Sequence, residues 1–316
     1  MNLPNPSKTV STNPLHTSLL GFGSAIGVLV CLAFLLNPLH GDEPDVGILT
    51  EPETLEDPYT RGWDLLSKLL IVQSIAQFEE AMNAHPERAR EGHLGLGIAH
   101  LNLQPKSRST IETAGVHFAK VKAEEAHDDF GIRARYFLGR IEQIHRYEPD
   151  WEKAGDIYHR LHEEHPDHPI GETARVRWVT IRLYEPSDAE TKVERFTEAE
   201  AFRGTFVHHR TRRDYHLLMA NAYTHFKPHN TEALQQVLEH LMEALEAGIH
   251  NQQTLATTIV RVAEIARLLE NYSLADEFYG RFLDTFSRDN RVDWVADRRT
   301  EIQPYLEETD EPGTDS

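Results

Sequence analysis

Apolar positions along the chain fall into two regimes. Residues 19–36 read LLGFGSAIGVLVCLAFLL, a run without a single charge. A helix of that length rises about 27 Å, close to the roughly 30 Å hydrocarbon thickness of a bilayer. Asn37 and Pro38 then stop the run, so a transmembrane helix is expected over 18–37. From residue 61 onward the pattern changes. Apolar residues recur at three- and four-residue steps, as in Ile75, Phe78, Ala81 and Met82, in Leu217, Leu218, Ala222 and Tyr223, and in Ile259, Val262, Ala263 and Ala266. No stretch alternates as a strand would. The stretches are short and end at His85-Pro86, Glu148-Pro149, His165-Pro166, Glu185-Pro186 or Gly248. Proline lacks the backbone donor and disfavours helix in the residue before it. Short helices with short links predict antiparallel hairpins in an all-α domain over 61–306.

The hairpins repeat. Residues 74–86 read SIAQFEEAMNAHP, 154–166 AGDIYHRLHEEHP and 275–287 ADEFYGRFLDTFS. Each opens on a small residue (Ser74, Ala154, Ala275). An aromatic follows four residues on (Phe78, Tyr158, Tyr279), and an apolar residue three further (Ala81, Leu161, Phe282). The small residue lets two helices approach, while the aromatic and apolar residues share a face and fill the space to the neighbour. This triplet resembles the second helix of a tetratricopeptide repeat. First-helix features resemble that family too: Leu96-Gly97 before Ala99 and His100, Leu138-Gly139 without a following aromatic, and Met219-Ala220-Asn221-Ala222-Tyr223. Ala263 and Ala275 stand twelve residues apart, the family's first-to-second-helix spacing. The resemblance implies a tetratricopeptide-like α-solenoid of four to six hairpins, with 291–306 as a capping helix. It also implies a groove that binds a protein or peptide. Some family members clamp a carboxylate with Lys, Asn and Arg from first helices. Asn221 and Arg261 are the matching candidates here, and Leu217 stands where the lysine would be, so the clamp is incomplete.

Composition locates the domain. Residues 1–17 carry Pro4, Pro6 and Pro14 and are expected to be a flexible tail. Residues 38–60 are acidic and proline-bearing, an expected spacer, and 307–316 an acidic disordered tail. Lys8 is the sole basic side chain before the apolar run, and acids follow it up to Arg61. The positive-inside bias therefore places the N-terminus in the cytoplasm and the helical domain outside, periplasmic in a Gram-negative host. The run is too long for a usual signal-peptide core, and Leu39-His40-Gly41 is a poor cleavage site. Cys31, preceded by Val30, fits a lipid-buried residue better than a lipoprotein site. It is the only cysteine, so no disulfide can form in the helical domain. Gly23 and Gly27 have the GxxxG spacing of self-associating membrane helices.

The formal charge of −19, from 51 acids against 32 bases, argues against nucleic-acid binding. Nineteen histidines raise a metal alternative. The densest run is His159, His162, His165 and His168, with Glu163 and Glu164. Its three-residue steps drift around a helix and miss the His-Glu-x-x-His spacing, so solvated histidines without metal are expected. His208, His209, Arg210, Arg212 and Arg213 form the main basic cluster, expected to pair with acidic neighbours rather than to hold an anionic lipid or peptide. No phosphate loop, Gly-x-Ser-x-Gly elbow or thiol nucleophile occurs in the helical domain. The expectation is a membrane-tethered scaffold, not an enzyme, without cofactor, with a protein or peptide partner and with self-association through the repeats or the membrane helix as a further mode. A metal-binding or enzymatic helical domain built on residues 159–168 is the alternative.

Overall fold

Asp57 begins the first helix of the computed structural model, which describes residues 57–310 apart from 125 and 227–229. Its carboxylate accepts the Thr60 amide at 3.0 Å, and Pro58 occupies the first helical position, where a missing N–H costs nothing. The helical domain thus opens within the segment expected as spacer, and Tyr59 is fully buried. The transmembrane expectation over 18–37 lies outside the described residues. Among those described, no helix is long and apolar enough to cross a membrane.

The described residues hold thirteen α-helices and no strand: α1 (Pro58–Ser67), α2 (Ile71–Ala84), α3 (Ala89–Asn102), α4 (Arg108–Glu124), α5 (Asp129–Arg140), α6 (Trp151–Glu164), α7 (Pro169–Tyr184), α8 (Ala189–Glu200), α9 (His209–Phe226), α10 (Thr231–Ala247), α11 (Gln252–Leu268), α12 (Tyr272–Thr285) and α13 (Val292–Asp310). Two units emerge. One comprises the described part of Leu39–Leu218 with Met242–Thr258. The other comprises Met219–Leu241 with the described part of Ile259–Ser316.

In the first unit each helix from α1 to α8 packs on the next, and the short links make such neighbours antiparallel. The odd-numbered helices also touch one another in order, α1 to α3, α3 to α5 and α5 to α7. Small residues permit this. The Phe78 ring of α2 lies where Cβ atoms on Gly62 of α1 and Gly95 of α3 would stand. Phe118 of α4 covers Gly97 of α3, and Tyr158 of α6 covers Gly139 of α5 in the same way. A π-helical turn at Ile141–His145 lengthens the path from Gly139 to Tyr158. Within it, Gln143 Oε1 accepts the Tyr158 hydroxyl at 3.1 Å.

The sequence triplets recur as equivalent structure. Helices α2, α6 and α12 are each 14 residues long. Ser74, Ala154, Ala275, Phe78, Tyr158, Tyr279, Ala81, Leu161 and Phe282 are all wholly buried. Each helix ends alike, with the amide of His85, His165 or Phe286 donating to the carbonyl four residues back. A fourth triplet, Ala114, Phe118 and Val121 on α4, is equally buried. In the second unit α13 packs on α12, with Arg299 on Asp276 at 2.8 Å, and it runs on to Asp310, past the expected end of the domain at 306.

Glycine positions separate by sign. A Cβ at Gly139 would meet Tyr158 Cε1 at 2.7 Å, whereas one at Gly155 of α6 finds its nearest atom on Ile181 at 3.8 Å. Gly139→Ala should cost about 1–3 kcal/mol through overpacking. Gly155→Ala should gain about 0.5–1 kcal/mol by restricting the unfolded chain. Thermal unfolding of the two variants should therefore shift in opposite directions. A shift of the same sign in both would refute the ring-on-backbone packing.

Candidate functional site

The two sequence candidates meet in the second unit. Arg261 of α11 donates through Nη1 to Asn221 Oδ1 of α9 at 2.7 Å and through Nη2 to Thr224 Oγ1 at 3.4 Å. The fold brings them into contact across forty residues. The contact ties α9 to α11, so Asn221 spends its carbonyl oxygen on Arg261.

The basic cluster at 208–213 sits at the start of α9 and is engaged locally. Arg213 pairs with Asp214 at 2.9 Å, and Arg212 stands 3.4 Å from His209. Glu172 of α7, wholly buried, accepts the amides of Val207 at 2.7 Å and His208 at 3.2 Å, and also the Thr211 hydroxyl. A carboxylate set against unpaired amides at a helix N-terminus satisfies their donors and the helix dipole together.

The histidine run does not act as one cluster. His159 stacks on Trp178 at 5.0 Å, with its Nδ1 3.2 Å from His162 Nε2. His162 is buried against Trp178 and Phe202, and burial pushes it down to about 4. His168 caps α7, accepting the Ile170 amide, and its other nitrogen faces Asp129 at 3.2 Å. Hydrogen bonding from His168 and Arg133 holds Asp129 at about 2. His165 turns instead toward Glu164 and toward His127 of the α4–α5 link.

Two further groups escape a reading by sequence, because their members are spread along the chain. His93 and His100, two turns apart on α3, flank His117 of α4. The His93 and His117 Nδ1 atoms lie 3.0 Å apart, and burial with its two neighbours pushes His117 down to about 4. Lys106, in the link after α3, and Arg140, at the end of α5, form a cationic pair beside His145. Burial and the charges of Lys106 and Arg140 push His145 down to about 3. Arg140 reaches the Tyr136 hydroxyl through Nη1 at 3.4 Å, while its buried Nε has no hydrogen-bond partner among the described residues. Helix C-termini favour cations, which accounts for their placement but not for the unpaired donor. Tyr147, two residues past His145, is 99% exposed.

Neither protein-family models nor curated proteins yield a match to this chain.

His117, His145 and His162 give stability a defined pH dependence. Their ordinary value is 6.5 and their folded values lie near 3 to 4. Below 6.5 the unfolded chain takes up protons that the folded chain refuses, so stability is whole above 6.5 and is lost as pH falls toward about 4. The unfolding temperature should drop over that window. His117→Gln should remove part of the slope while leaving the neutral-pH fold intact by circular dichroism, and an unchanged slope would count against the buried neutral imidazole.

Proposed function

We propose that this chain is a tetratricopeptide-like helical-repeat protein that docks an anionic segment of a partner protein, and that residues 19–36 hold it in a membrane. One observation carries the repeat reading: α2, α6 and α12 share length, buried triplet and C-terminal cap, and the odd-numbered helices of the first unit form a continuous layer. Stacked first helices are the surface on which helical-repeat proteins present their grooves.

The anionic preference rests on the charges of Lys106 and Arg140; burial and these two charges keep the neighbouring His145 uncharged. A partner carboxylate set against the Arg140 guanidinium and the Lys106 ammonium gains charge-assisted hydrogen bonds, which are stronger than neutral ones. The exposed Tyr147 beside this group has the character of an interface anchor. On this reading Asn221 and Arg261 hold first helices together rather than clamp a ligand. The role is binding without chemistry of its own, and the apolar run raises the effective concentration of partner near the membrane.

Full-length, membrane-inserted protein bearing a photoreactive phenylalanine analogue in place of Tyr147 tests this in cells. A discrete protein adduct should form and should fall at least tenfold on adding Arg140→Glu, with membrane fractionation and helicity unchanged. Absence of any adduct above background, or an adduct indifferent to Arg140→Glu, would overturn the docking site.

A further inference from the structure

Among the described residues one group of side chains has the geometry of a metal site, and it joins two hairpins. His127 lies in the link between α4 and α5; Glu164 and His165 close α6. His127 Nδ1 is 3.4 Å from His165 Nε2 and 3.5 Å from Glu164 Oε2, and His165 Nε2 is 4.0 Å from the same oxygen. Zinc held tetrahedrally by nitrogen and oxygen at about 2.0–2.1 Å separates its ligand atoms by roughly 3.3–3.4 Å. Two of the three edges already match, and the third closes by rotating Glu164, a side chain at a helix end with 38% exposure.

We propose that His127, Glu164 and His165 bind one divalent transition-metal cation of the zinc class, leaving a fourth position for water or an incoming ligand.

Four features single out this trio from the other histidines. Exposed carboxylates often cluster without a metal, but here two imidazole nitrogens converge on one carboxylate oxygen. The neighbouring imidazoles are committed elsewhere: His168 to Asp129 and the Ile170 amide, and His159 and His162 to each other and to Trp178. His165 is placed firmly. Its amide donates to Leu161, its carbonyl accepts from His168, and a Cβ at Gly171 would collide with that carbonyl, so only glycine lets α7 start so close. The exposed edge, with His127 63% exposed, gives a cation a path in.

Arg135 opposes the cation. Its Nη1 donates to Glu164 Oε2 at 2.6 Å. The guanidinium orients the carboxylate in the metal-free protein, and its charge weakens the site. Oxygen-selective ions such as magnesium, which demand near-octahedral oxygen shells, are poorly served by two imidazoles, whereas zinc, nickel and copper are well served.

The test uses full-length protein in detergent, without an affinity histidine tag. Zinc is titrated in competition with a chromophoric chelator, and Co2+ is added separately to report coordination by its visible spectrum. Wild type and His159→Gln should each take up one tight equivalent and give a tetrahedral Co2+ spectrum. His127→Gln should weaken uptake at least about a hundredfold, since loss of even a supporting partner costs 10–100-fold. His127 lies in an exposed link, and unchanged helicity will show that its replacement leaves the fold intact. Arg135→Gln should tighten uptake by removing the competing charge. No tight equivalent in wild type, or one retained in full by His127→Gln, overturns the site.

Discussion

The first unit depends on aromatic rings laid against bare backbone. Phe78, Phe118 and Tyr158 each occupy space that a methyl group on the facing glycine would fill. Burying such a ring favours folding by about 2–3 kcal/mol, but the more consequential effect is geometric. The absent Cβ lets one helix approach another closely enough for the ring to touch backbone. The ring then fixes both the separation and the register of the pair. Phe78 does this for two helices at once, α1 and α3, and so links the first helix of one hairpin to the first helix of the next. The α1 to α3 contact, first in the layer of odd-numbered helices, follows from that double contact.

Much of this was legible along the chain, for identifiable reasons. The triplets on α2, α6 and α12 stand out because small, aromatic and apolar residues keep fixed spacings before a terminator. The α4 triplet of Ala114, Phe118 and Val121 has the same spacing and the same burial. It was hidden by the long link from α3 and by the lack of a proline at its end. Leu138-Gly139 lacks the aromatic three residues on because Glu142 stands there, within the π-helical turn. The domain boundary moved for a related reason. Pro58, taken as a mark of extended spacer, is the first residue of a helix capped by Asp57.

Chemistry was less legible than fold. Asn221 and Arg261 were each candidates because a resemblance to tetratricopeptide repeats lines up positions on successive helices. No register aligns Lys106 with Arg140 and His145, or His127 with His165, since these lie in links and at helix ends where hairpins of unequal length meet. The run at 159–168 shows the converse. Of four histidines spaced three apart, His159 and His162 pack together on Trp178 while His165 and His168 turn to other partners, because three-residue steps turn each about 60° from the last and Pro166 ends the helix between them.

The buried carboxylate of Glu172 has a consequence of another kind. It reaches Val207 and His208 some 35 residues ahead, and the other side-chain bonds between hairpins have similar reach: 28 residues for Trp63 to Glu91, 38 for Arg90 to Asp128, 40 for Arg261 to Asn221. Each link is about one hairpin long. A chain wired over such spans has low contact order, so the closure entropy for each new contact stays small. Each hairpin can dock on its predecessor as it is made, without waiting for the distant C-terminus. A polypeptide delivered end-first, from a ribosome or through a membrane pore, meets its folding partners in the order in which they arrive.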